Sequence, residues 1–119
     1  MRVSSELRKR SKAFGASIIQ IYAGLPRGRD EVRILGRQMI RSGTSVAAHV
    51  REASRARSDA EFCSKLDGLL QEADETQLWL EYLIEDCQIP SPALPEVHRE
   101  AGELIAIFTT MVSKVRRSS

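Results

Sequence analysis

Aromatic residues make up only 5% of this 119-residue chain, and cysteine and histidine occur twice each. Each shortage removes something. Scarce aromatics and short β-branched runs point away from strands, while Ala, Leu, Glu, Arg and Lys dominate, as helices require. Cys63 and Cys87 fall on one predicted helix about 36 Å apart, far beyond the ~7 Å that a disulfide spans. Two unpaired thiols point to a reducing compartment, so a cytoplasmic location is expected. No apolar run is long enough to span a membrane. The first twelve residues are polar and charged with no apolar h-region, which speaks against a secretory signal. The two histidines, His49 and His98, have Val46 and Pro95 three residues before them. The Glu-x-x-His pairs of a di-iron bundle are therefore missing. No carboxylate pair, triad or glycine-rich phosphate loop stands out; Cys63 has no adjacent base at helical spacing, and Cys87 lies on an apolar stripe, so both read as small core or boundary residues. A non-enzymatic protein without metal or cofactor is expected.

What the chain has in abundance is helical periodicity. Phe62, Leu66, Leu69, Ala73, Thr76, Leu80, Leu83 and Cys87 step 4-3-4-3-4-3-4. That is an unbroken heptad stripe over roughly 40 Å of helix. Leu70, Leu78 and Trp79 widen it, so this helix needs neighbours on more than one side. Leu7, Phe14, Ile18, Ile21 and Leu25 keep the same step, with Ser11 in the gap. So do Val32, Leu35, Met39, Ser42, Val46 and His49, and later Leu94, Val97, Ala101, Leu104, Phe108, Met111 and Val115. Helices are predicted over residues 4–23, 30–55, 58–87 and 95–116. Ser4, Asp30 and Ser58 supply the caps, the last with Glu61 as a capping box. Glycine and proline at 24–29 separate the first two helices, and three prolines between 88 and 95 separate the last two. Four long helices on short loops predict an all-α fold, an antiparallel up-down-up-down four-helix bundle forming one domain over 1–119.

A net charge of +2 hides a sharp split. Residues 1–57 carry 13 Lys/Arg against 4 Asp/Glu, a net of +9, and residues 58–119 carry 5 against 12, a net of −7. Either the halves pair with each other or one face meets an anionic partner. Arg33, Arg37 and Arg41 stand one helical turn apart, and Arg51, Arg55 and Arg57 follow. Guanidinium forks suit carboxylate and phosphate alike. One reading pairs them with Asp67, Glu72 and Glu75 of the third helix. The other directs Arg33, Arg37, Arg55 and Arg57 to RNA or DNA phosphates and leaves Arg41 structural. Arg8, Lys9, Arg10 and Lys12 form either a solvated helix end or an anion-contacting arm. The segment from Arg41 to Ala48 holds almost nothing large, which predicts a tight helix crossing at Gly43 and Ala47. His49 and Glu52 lie one turn apart and are expected to share a hydrogen bond in a partly buried polar cluster with Gln38 or Arg41.

The run from Leu35 to Glu52 resembles the bacterial four-helix-bundle family of 23S rRNA intervening-sequence proteins. The matching positions are Gln38, Arg41, Ser42, Ser45 and Glu52, then Arg57-Ser58 and Glu61-Phe62. His49 stands where that family usually has Asn, and the stretch from Glu72 to Glu81 is similar to the family's third helix. The resemblance implies a homopentameric ring of bundles. Many members are encoded within intervening segments of large-subunit rRNA genes. A related branch, the accessory proteins of diversity-generating retroelements, forms basic pentamers that bind nucleic acid and a reverse transcriptase. The expected function is thus that of an oligomeric, non-enzymatic bundle binding RNA or DNA through its Arg-rich half. The rival is a structural or protein-interaction module with no nucleic-acid contact.

Overall fold

The computed structural model describes residues 2–118. Its helices are α1 (Ser5–Gly24), α2 (Asp30–Ser54), α3 (Asp59–Glu81) and α4 (Ala93–Ser118), with a π-helical turn at Tyr82–Asp86 closing α3. Ser4 and Ser58 cap as expected, accepting from the Leu7 and Glu61 N–H groups respectively. Asp30 does not cap. It is the first helical residue of α2, and its carboxylate takes the Arg33 guanidinium at 2.7 Å instead. α4 begins two residues before the expected Pro95, because a proline in the first turn of a helix gives up no hydrogen bond. α3 is not plain α-helix to Cys87: it widens into the π turn, and Gln88 then reverses the chain at φ 56°.

Contacts across each helix pair fix their directions. Glu52 meets Lys65 and Ser42 meets Thr76 between α2 and α3; Asp67 meets Arg116 and Glu81 meets His98 between α3 and α4. The start of α1 lines a pocket with the end of α2, and its last turn lines another with the start of α2. Neighbours in sequence therefore run antiparallel, as a rod of 50 × 21 × 20 Å. Arg10 fastens α1 to α4, its fork donating to both Glu100 carboxylate oxygens at 2.7 Å and to Glu103 at 3.1 Å.

The heptad stripe of α3 is wholly interior, from Phe62 to Cys87. Phe62, Leu66, Leu69, Leu80 and Leu83 each contribute about 1.5–3 kcal/mol of burial free energy. Ser42 and Thr76 are polar but buried: the Thr76 hydroxyl donates to the Glu72 carbonyl at 2.8 Å and accepts from the Ser42 hydroxyl at 2.7 Å. That leaves neither oxygen unsatisfied in the core. The small-residue segment of α2 makes the tight crossing. A Cβ added at Gly43 would lie 2.8 Å from Ile18 Cγ1, and one at Gly15 would touch the α2 backbone at 3.8 Å. The segment before α1 acts as a strap. The Arg2 N–H bonds the Ser54 carbonyl, its guanidinium reaches Ala56 and Asp59 across the Phe62 ring, and Val3 is buried.

Candidate nucleic-acid interface

Antiparallel packing brings the basic first half of α1 against the last turns of α2. A pocket of about 260 Å³ opens there, lined by Ser5, Arg8, Lys9, Lys12, Arg51, Ser54 and Arg55. Five cations line it and no acid does. Among the described residues, none of the five forms an ion pair; Arg8 donates only to the Val3 carbonyl, at 3.3 Å. Ser54 is 5% exposed, and its hydroxyl oxygen has no hydrogen-bond partner. Five unpaired cations around one hollow suit a group rich in acceptor oxygens and poor in protons, which describes a phosphate. The pocket also sits at the start of α1, where the helix dipole is positive, while Arg51 and Arg55 offset the negative end of α2.

The predicted contacts do not form one patch. Arg55 lines the basic pocket, but Arg33 and Arg37 line a separate hollow of about 300 Å³ with Tyr22, Pro26 and Arg27. The two groups lie about 33 Å apart along α2. Arg57 is exposed in the link to α3 and outside the pocket. Between the two basic ends runs a hollow of about 380 Å³ walled by Gly15, Ala16, Ile19, Thr44, Ala47 and Ala48, with Lys12 and Arg51 at its rim. All three hollows follow one furrow between α1 and α2, since their lining residues recur at helical spacing.

Pairing with the acids of α3 does not occur either. Asp67 takes Arg116 at 2.7 Å, and among the described residues no ion pair joins the α2 arginines to Glu72 or Glu75. Arg33 turns back to Asp30, and Arg41 donates to Gln38 at 3.0 Å. Ser45 bonds the Arg41 carbonyl within α2.

The expected bond between His49 and Glu52 is replaced. Glu52 takes the Lys65 ammonium at 2.7 Å, while the His49 ring lies against Gly68, where an added Cβ would be 3.0 Å from Cε1. His49 Nδ1 is buried without a partner. The ring fills the α2–α3 crossing where α3 has no side chain, so it is turned away from its own helix. The hydrogen bond from Lys65 holds the Glu52 carboxyl below the usual carboxylate range. Desolvation works against this, and the charges of Lys65 and His49 reinforce it. A carboxyl lowered by folding stabilises fully above its unfolded value, about 4.3, and loses that contribution as pH falls through the lower folded value. Lys65→Met should therefore move the Glu52 titration upward in carbon-detected NMR. An unmoved titration would remove Lys65 as its cause.

The cationic cluster was partly hidden from sequence reasoning, which kept the two basic stretches apart. The signal lay in the register. A turn at 25–29 folds α1 back on α2 so that facing residue numbers sum to near 60, which sets Arg8 opposite Arg51. Among the described residues, no group of three or more His, Cys, Asp or Glu is placed to hold a metal ion, and no helix is long and apolar enough to cross a membrane.

The family model for the 23S rRNA-intervening sequence protein matches residues 4–110. A solved structure from Bacteroides thetaiotaomicron VPI-5482, a protein of unknown function from the S23 ribosomal protein family, is 31% identical in sequence. It superposes with a TM-score of 0.81, over 89% of this chain and 97% of that one. No curated protein matches the sequence.

Proposed function

The chain belongs to the 23S rRNA-intervening sequence protein family, and from that premise we propose that it is a non-enzymatic, oligomeric RNA- or DNA-binding protein of the cytoplasm. The observation that carries the proposal is the pocket between α1 and α2, with its five unpaired cations. The pentameric ring implied by the resemblance would repeat that pocket on every subunit and multiply the field that steers a polyanion. Contacts of this kind read phosphate rather than base, so binding should be weakly sequence-specific.

The test is an anisotropy titration against structured RNA and duplex DNA at about 50 and 200 mM salt. If the five pocket cations each neutralise one phosphate, the logarithmic salt slope is about −4.5 on duplex and about −3.5 on single strands. Affinity should then fall roughly 100- to 500-fold over that fourfold change in salt. A second reading, a module that contacts only protein, is favoured by the exposed Leu78 and Tyr82. Absence of binding at the lower salt would leave that reading standing.

A further inference from the structure

Leu78 was expected to find a neighbour, yet it is 41% exposed, and Tyr82 one turn on is 42% exposed. Tyr82 stacks on Trp79 with ring centroids 6.3 Å apart, so it is held in place where the π turn begins. Asp74 and Glu85, both exposed, bracket this pair on the outward side of α3. Two apolar knobs between carboxylates thus stand on one side of the molecule. The furrow between α1 and α2 has the opposite character. Its middle is walled by small residues, Ile19 is 50% exposed there, and cations close both ends.

We propose that a second copy of this chain seats Leu78 and Tyr82 of its α3 in the middle of the α1–α2 furrow. Charge and size both select this occupant. The knobs come from the acidic half of the chain and the furrow from the basic half. Along α3, Asp74 and Glu85 are about 17 Å apart; along α2, Arg37 and Arg51 are about 21 Å apart, so each acid falls near a cation. The glycine and alanine wall lets a helix approach closely, and the knobs replace the side chains it lacks. The two surfaces are different and not opposite each other, because α3 packs directly beside α2. Docking is therefore head-to-tail, and repeated docking curves toward closure. Ser5, Arg8, Lys9 and Arg55, beyond the end of the seated helix, stay open to phosphate.

This inference rests on the oligomer proposed above, and the test separates the two. Leu78→Glu/Tyr82→Glu removes the knobs; Ile19→Glu/Ala48→Glu spoils the furrow at exposed positions, so both variants should keep the helical circular dichroism of wild type and still unfold cooperatively. By light scattering, each variant alone should be monomeric. Their equimolar mixture should form a one-to-one pair and nothing larger, since each supplies one intact surface. Variants that assemble like wild type, or a mixture that stays monomeric beside an assembled wild type, overturn these surfaces while the oligomer survives. A monomeric wild type overturns both. A monomeric wild type whose RNA binding is lost in Ile19→Glu/Ala48→Glu assigns the furrow to nucleic acid instead.

Discussion

Gly43→Leu should lower the melting temperature by roughly 5–15 °C, because overpacking a helix crossing costs about 1–3 kcal/mol. The obstacle is local and stiff. Even a methyl group at this position would meet Ile18 Cγ1, Cγ2 and Cβ at 2.8, 3.0 and 3.3 Å. Ile18 is wholly buried and β-branched, so it has little freedom to swing aside. Gly43→Ala should lie between the two, since alanine regains about 1 kcal/mol of helix propensity against the same contact. Gly28, in the link between α1 and α2, is the control: nothing lies within 4 Å of an added Cβ there. Calorimetry that finds Gly43→Leu as stable as wild type would mean that α1 and α2 do not cross at this glycine.

Replacing Lys9 and Arg55 together by glutamine should reduce the salt slope of binding to duplex by about 1.8 and remove most of the affinity at low salt. Folding stability should stay within about 0.5 kcal/mol of wild type, because neither residue holds an ion pair and both are exposed. The set Arg27, Arg33 and Arg37 provides the contrast. These residues line the far hollow, one of them already committed to Asp30, so their removal should change the slope less. Equal losses from both sets would mean that the polyanion lies along the whole furrow.

The core was almost fully legible because apolar spacing is a direct image of burial. Every heptad residue from Phe62 to Cys87 is interior, as are Phe14, Ile18, Ile21, Val32, Met39 and Val46. Where the reading slipped, it slipped by geometry. A strict seven-residue step gains on a helix of 3.6 residues per turn by about 20° per heptad. Late in α2 the buried positions are accordingly Val50 and Ala53 rather than His49, and late in α4 Val112 is buried more deeply than Met111. The π turn left no periodic trace, since Leu83 and Cys87 keep the four-residue step through it. Charge was legible only as an amount. Which arginine meets which acid depends on side-chain reach across helices. Local partners such as Asp30 for Arg33 and Gln38 for Arg41 took groups that the count had left free for α3 or for phosphate.

The strap at Arg2 and the clip between Arg116 and Asp67 share a consequence for engineering. Both lie at the end of the rod that holds the α2–α3 link. The chain thus enters and leaves beside its own basic pocket, while the links at 25–29 and 87–92 close the far end. A peptide bridge joining the two ends, with a new opening cut at Gly28, would give a circular permutant with the same core and a continuous wall beside the pocket. A domain fused at either end would emerge from that side of the bundle, leaving the far hollow of Arg27, Arg33 and Arg37 clear.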